Sequence, residues 1–384
     1  MRNNIVKRYP RLNHQPPRRK INMKKLGISI YPNHSNIDDD KSYIKTAYEY
    51  GFRRMFTCLL SIDADRELVL LNFKETINFA KNLGMEVICD MNPRIFDQLN
   101  ISYDDLSFFA ELNVDGIRLD LGFTGKEEAF MTYNPYNLNI EINMSNDTKY
   151  LENILSYKPN KERLIGCHNF YPHRYSGLSY DFFIKCSKKF KRYGLRTAAF
   201  VSSNEATFGP WPIVEGLPTL EMHRGLPIDV QAKHLFATGA IDDVIIGNAY
   251  ASEQELKLLS NINKDMITLN IKVEDTTSDL ERKILFEEPH FYRGDVSEYM
   301  IRSTQSRVKY RGYPFPPHNT RDIKRGDIII ESDLYKQYAG ELQIALKDMK
   351  NSGRSNVVGR IREEEIFLID YIQPWGKFAF TEWK

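Results

Sequence analysis

The chain has 384 residues, 42% hydrophobic, 27% charged and 12% aromatic. Those proportions supply enough core for two domains and exclude a disordered or low-complexity protein. Charges interrupt every apolar run before the roughly 18 residues that a membrane-spanning helix needs, and the four widely spaced cysteines (Cys58, Cys89, Cys167 and Cys186) form no CxxC pair. That spacing argues against a zinc site or a disulfide framework and fits a reducing, cytoplasmic compartment.

The net charge of +2 is unevenly distributed. Nine Lys/Arg and no acid lie between Met1 and Lys25, beside Pro10, Pro16 and Pro17, without helical or strand periodicity. This leader, 1–23, reads as a non-structural extension; a nucleic-acid arm and a start at Met23 are the other readings. No apolar run follows the basic residues, which argues against a secretory signal. Without the seven cations of residues 1–22 the rest of the chain carries −5, so a generally basic, nucleic-acid-binding protein is not the expectation.

From residue 24 to 263 short β-rich runs alternate with amphipathic ones. Strands are expected at 26–31, 54–60, 86–91, 116–121, 138–144, 164–170, 196–201 and 243–247. The clearest helix is 65–83, with Leu68, Leu71, Phe73, Ile77, Phe79 and Ala80 on or near one face and Gly84 as its stop. Helices at 42–50 and 180–193 end in the same way at Gly51 and Gly194. Eight such units predict an α/β fold of the (β/α)8 TIM-barrel type, with a doubly wound sheet as the alternative. No GxGxxG follows the first strand and no GxxxxGK[ST] occurs, which weakens a nucleotide-cradling reading.

Residues 264–384 have a different texture. Strands are expected at 266–273, 298–304, 327–332, 355–361 and 366–372, with one helix near 340–349. The result is a smaller, β-rich C-terminal domain with its own core. Seven Lys/Arg from Arg302 to Arg325, Arg307 among them, face the single acid Asp322, with Tyr310, Tyr313 and Phe315 interleaved. Such a block suits phosphate binding, or is a solvated basic face.

In a barrel the reactive groups gather at the C-terminal strand ends. Reading those ends gives Asp90 and Asn92 at the end of strand three, Arg118 and Asp120 at the end of strand four, Asn143 from strand five, His168 and Asn169 from strand six, and Asn248 at the end of strand eight. Alternation puts Asp90 with Asn92, and Arg118 with Asp120, on common faces. Asp120 ranks first, because a carboxylate closing an apolar strand is costly without a purpose; a salt bridge with Arg118 is the structural explanation. The long loop 208–225 carries Glu215, Glu221, His223 and Arg224, a set suited to acid/base work or anion binding, or to a Pro-braced surface loop. His168, His173, Asp90 and His223 lack compact ligand spacing, so no metal is expected. Cys167 and His168 point to opposite strand faces and cannot form a nucleophile pair.

Four segments carry a family resemblance: Cys-His-Asn-Phe-Tyr-Pro at 167–172, Glu-Gly-Leu-Pro-Thr-Leu-Glu-Met-His-Arg at 215–224, Ile-Asp-Asp-Val-Ile-Ile-Gly-Asn at 241–248, and Tyr-Ala-Gly-Glu-Leu-Gln-Ile at 338–344. With them the chain, from about 24 to 384, resembles the 6-phospho-N-acetylmuramidases, cytoplasmic bacterial glycosidases of peptidoglycan recycling. The resemblance implies a TIM barrel followed by a cyclophilin-like β domain. It also implies hydrolysis of the β-1,4 bond of 6-phospho-N-acetylmuramyl-N-acetylglucosamine, with no metal or redox cofactor. The partner would be this phosphorylated, muropeptide-derived disaccharide, with no nucleic acid or membrane involved and a homo-oligomer left open. On that basis Asp120 and Glu221 are the expected catalytic pair, with Asp90 and Glu215 in reserve. Asn143, His168, Asn169 and Asn248 would hold hydroxyls or the acetamide, and Asn92 and His223 are also expected to bind the substrate. Arg118, Arg224, Arg302 and Arg307 would meet the phosphate and lactyl carboxylate. A phosphosugar-binding protein without catalysis is the alternative.

Overall fold

The computed structural model describes residues 24–59, 66–91, 96, 101–210 and 215–383, with the side chains of 66–70 set aside. The basic leader and Asn92 therefore lie outside the described residues.

Eight parallel strands close into a barrel in chain order: β1 (Lys25–Ile30), β2 (Arg54–Leu59), β3 (Glu86–Met91), β4 (Gly116–Leu119), β5 (Asn139–Asn143), β6 (Leu164–Cys167), β7 (Arg196–Val201) and β8 (Asp243–Ile246). Closure is direct, since β1 pairs with both β2 and β8. The doubly wound alternative is thereby removed. Helices follow the strands: α1 (Ile37–Glu49), α2 (Arg66–Leu83), α3 (Ser107–Glu111), α4 (Lys126–Met131), α5 (Tyr150–Ser156), α6 (Tyr180–Arg192), α7 (Ile228–Ala237) and α8 (Glu253–Ser260).

Local chemistry sets these boundaries. The Asn36 side chain accepts the Asp38 N–H at 2.8 Å to open α1, where three aspartates also complement the helix dipole. Gly84, at φ 90°, ends α2 in the left-handed region that a Cβ disfavours. Strand alternation then divides the core in two. Met55, Leu59, Val87 and Ile117 pack outward into the helical layer, while Phe56, Cys58, Cys167, Ala198, Phe200 and Ile245 form a separate cluster inside the barrel.

The N-terminal end of the barrel is closed by charge. Arg54 pairs with Glu141 and, at 2.6 Å, with Asp243. Arg196 reaches Asp243 at 2.5 Å and Glu86 at 2.6 Å, and Lys25 meets Glu86 at 2.9 Å. Burial works to raise the Glu86 carboxyl, but Arg196, Arg54 and Lys25 outweigh it and hold the group well below the usual range. Three cations against three carboxylates make this floor tolerable in a low-dielectric interior.

A second sheet of seven strands has the order β10-β15-β9-β14-β12-β13-β11. Its members are β9 (Ile267–Val273), β10 (His290–Phe291), β11 (Met300–Ser303), β12 (Asp327–Glu331), β13 (Leu342–Ala345), β14 (Ser355–Ile361) and β15 (Lys377–Glu382), accompanied by α9 (Asp279–Glu287) and α10 (Gln305–Lys309). Two expectations are corrected here. The segment expected as a helix near 340–349 holds β13, because Leu342 and Ile344 enter the core while Gln343 and Ala345 take the opposite face. The strand expected at 366–372 is mostly a 3-10 segment, Glu363–Tyr371. Its Leu368 and Ile369 fill the second core, and it runs beside α7 of the barrel. Lys233–Glu365 at 2.8 Å and Arg362–Asp229 at 3.4 Å tie the two together.

Candidate active site

The mouth of the barrel follows from register. Asp90 on β3 stands opposite Arg118 on β4, and Arg118 opposite Glu141 on β5, so their side chains share the interior. The Arg118 guanidinium donates to Asp90 at 2.6 Å, to Asp120 at 3.4 Å and to the Asn169 side-chain oxygen. Asn143 donates to the Asp120 carboxylate at 3.4 Å and to its carbonyl at 3.3 Å. One guanidinium and two amides thus gather two carboxyls.

These carboxyls differ in environment. Asp90 is 7% exposed, and its other oxygen accepts from the Cys58 thiol at 3.4 Å. Burial pushes its pKa up, with Arg118 opposing and Asp120 adding to the rise. The Asp120 side chain is 47% exposed and faces the opening. Tyr171 stands beside them. Burial raises its phenol, which is hydrogen-bonded to Ser145 and feels both Asp120 and Arg118.

A second cluster clasps the loops beside the mouth. Glu221 accepts the backbone N–H groups of Tyr175 at 2.8 Å and Gly177 at 2.9 Å. Arg224 donates to both of its oxygens at 2.8 Å and also to the carbonyls of Glu215, Tyr171 and His173 at 2.7, 3.0 and 3.2 Å. The Arg224 bonds and the two N–H groups bring the Glu221 carboxyl down to about 2. Gly177 is required for this approach, since a Cβ there would stand 2.7 Å from the Glu221 nitrogen. Glu215 braces the same loop by accepting the Arg174 N–H at 3.0 Å.

Models of the 6-phospho-N-acetylmuramidase family match the chain over nearly its described length, the N-terminal one across residues 26–261 and the C-terminal one across 267–381. The chain belongs to the 6-phospho-N-acetylmuramidase family. It is therefore a glycosidase, with the family's N-terminal part on the barrel and its C-terminal part on the second sheet. Among solved structures it is similar to an uncharacterized B. cereus protein, at 53% identity and a TM-score of 0.88 over 94% of this chain and all of that one. A conserved Enterococcus faecalis protein of unknown function is similar at 26% identity and a TM-score of 0.70, over 93% and 96% of the two chains. No curated protein matches.

Members of a glycosidase family need carboxyls that reach the sugar, and the expected residues separate on that test. Asp90, Arg118, Asp120, Asn143 and Asn169 come together at the mouth. The Glu221 oxygens are taken by Arg224 and two backbone N–H groups, and the same bonds occupy Arg224. His168, just past the end of β6, is fully buried between Ser145 at 3.1 Å and Ser187 at 2.8 Å and against the Phe183 ring, and burial lowers it to about 3. Its contribution is indirect, through Ser145, which accepts the Asn169 N–H at 2.8 Å. Asn248 is also buried and binds the Ser203 backbone at 2.8 and 2.9 Å, locking the ends of β7 and β8 together. His223 is buried against His234, its ring nitrogen 2.7 Å from that of its neighbour. Arg302 and Arg307 lie in the second sheet region, where they share Glu341 at 2.7 and 2.9 Å.

Sequence reasoning missed Tyr171, Ser145 and Cys58. Tyr171 sits within the 167–172 motif and was open to notice; Ser145 and Cys58 carry no local signal. Among the described residues no group of three or more His, Cys, Asp or Glu side chains is gathered for a metal ion.

Proposed function

We propose that the chain hydrolyses the β-1,4 bond of 6-phospho-N-acetylmuramyl-N-acetylglucosamine, releasing N-acetylmuramic acid 6-phosphate and N-acetylglucosamine. The observation that carries this reading is the Asp90–Arg118–Asp120 arrangement at the mouth of a barrel in a glycosidase family. Asp120 is the carboxyl that reaches the substrate. As an acid it gives its proton to the glycosidic oxygen while the C1–O bond breaks and the oxygen of the sugar's 2-acetamido group closes on C1. As a carboxylate it then takes a proton from the water that reopens this ring at C1. Asn143 and Asn169 orient the acetamide, and Arg118 fixes Asp120 in place. Asp90, deeper and raised by burial, sets the guanidinium from below; in this reading it replaces Glu221, which holds the loops instead.

The phosphate needs a cation with free surface. Arg174, whose side chain is 55% exposed and only loosely paired with Glu215 at 3.4 Å, fits that role better than the saturated Arg224. The reading extends to a cytoplasmic place in cell-wall recycling and to a division near residue 263 between catalytic barrel and cyclophilin-like unit. No described helix is long and apolar enough to cross a membrane.

The deciding experiment incubates the protein with the disaccharide, with and without its 6-phosphate, and reads products by mass spectrometry. Release of N-acetylglucosamine from the phosphorylated form alone is expected. Binding without release would transfer the chain to the phosphosugar-binding alternative.

A further inference from the structure

The basic block of the second domain is largely neutralised within the fold. Lys309 meets Glu288, Arg321 meets Asp327 at 2.6 Å and Glu274 at 3.1 Å, Lys324 meets Asp348 at 2.9 Å, and Arg325 meets Asp370 at 2.8 Å. Arg302 and Arg307 share one carboxylate, Glu341, which is fully buried, and both guanidiniums lie over the Tyr338 ring, at 5.7 and 5.1 Å from its centre. Arg311 has no carboxylate partner among the described residues, and neither has Lys336.

These unspent charges converge. Arg307, Arg311, Lys336, Tyr313 and Asp333 border one cleft of about 520 Å³ between α10 and the segment Asp333–Tyr338, within the size range of small-molecule sites. Asp333 already accepts the Phe315 N–H at 2.9 Å. The lining holds three cations, Arg307, Arg311 and Lys336, against the one carboxylate Asp333, so the cleft carries an excess of positive charge. Lys336 holds φ 48° and ψ −98°, a conformation that a lysine adopts only under constraint from its surroundings. Tyr313 is 55% exposed and packs edge-on to Tyr310 at 5.6 Å, which leaves its ring as an apolar platform beside the cations.

We propose that this cleft is a second binding site, separate from the barrel mouth, for a small anionic sugar. Its phosphate is held by Arg311 and Lys336, with Arg307 behind them, and its ring lies on Tyr313. The proposal stands on the cleft alone and does not depend on which bond the barrel cleaves.

Calorimetric titration of the full chain with glucosamine 6-phosphate, glucosamine and inorganic phosphate tests it. Arg311 is exposed, so Arg311→Ala leaves the fold intact; Lys336→Gly suits the positive φ and removes the whole side chain with its ammonium. Each substitution is expected to weaken glucosamine 6-phosphate binding at least fivefold without lowering the melting temperature, while Tyr313→Ala weakens the phosphosugar but not free phosphate. Affinity for the phosphosugar that is unchanged in both Arg311→Ala and Lys336→Gly overturns the site. Equal affinity for inorganic phosphate and the phosphosugar overturns the sugar assignment.

Discussion

His223 and His234 hold their ring nitrogens 2.7 Å apart, joining the loop that carries Glu221 and Arg224 to helix α7 at the seam with the second sheet. His234 is stacked with Tyr180 and meets Phe367 and Tyr371 edge-on, so the loop beside the mouth is seated partly on the second domain. Burial lowers both imidazoles, His223 well below its ordinary value, where His234 also opposes its charge, and His234 to about 4.

This pair makes a pH prediction. A histidine whose folded pKa is depressed stays neutral in the native state while the unfolded chain takes up a proton. Its stabilisation is present above about pH 6.5 and is lost as the pH falls toward 4. For His234 alone the loss is on the order of 3 kcal/mol. His234→Gln keeps a hydrogen-bond partner but cannot titrate, so its melting temperature should fall less than that of the parent between pH 7 and 4. Parallel curves for the two proteins would remove His234 from the acid response.

Asp120→Asn should lower kcat at least a hundredfold on the phosphorylated disaccharide with little change in melting temperature, because the side chain is half exposed and its contacts are long. Normal turnover in this variant would sink the assignment of Asp120.

Glu221→Gln separates a clasp from an acid/base role. It weakens charge-assisted bonds to Arg224 and to the Tyr175 and Gly177 backbone. We expect KM to rise about tenfold with kcat within threefold, as remote positioning contacts do when they loosen. A loss of kcat as deep as that of Asp120→Asn, at unchanged KM, would restore Glu221 as a reacting group.

Asp90→Asn should act differently from both. It leaves the buried Arg118 with Asp120 at 3.4 Å as its one ion-pair contact among the described residues, which costs about 3–5 kcal/mol for a buried pair broken on one side. The expected result is a clear drop in denaturant midpoint together with a loss of activity. A stable variant with full activity would show that Asp90 neither holds Arg118 nor serves the reaction.

The eight barrel strands were readable because each apolar run is bounded by turn residues and repeats with one rhythm. The mouth was half readable for the same reason. Alternation alone put Arg118 and Asp120 on one face, and closure of the barrel added Asp90, Asn143 and Asn169. The clasp was not readable, since Glu221 finds its donors at Tyr175 and Gly177, more than 40 residues away in sequence. Glu341 neutralises Arg302 and Arg307 in the same non-local way. In the second domain, Glu-Leu-Gln-Ile-Ala-Leu at 341–346 carries both helical and alternating patterns, and only pairing with β11 and β12 decides for a strand.

The ion-paired floor formed by Arg54, Glu141, Asp243, Arg196 and Glu86, with Phe56, Phe200 and Ile245 packed inside the barrel, leaves the interior filled with side chains. In the proposed reaction both sugars therefore meet only the C-terminal rim, and the leaving sugar and the incoming water share that one face. A leaving sugar that lingers there shields C1 from water, so substitutions on the rim can slow turnover through release without touching the acid.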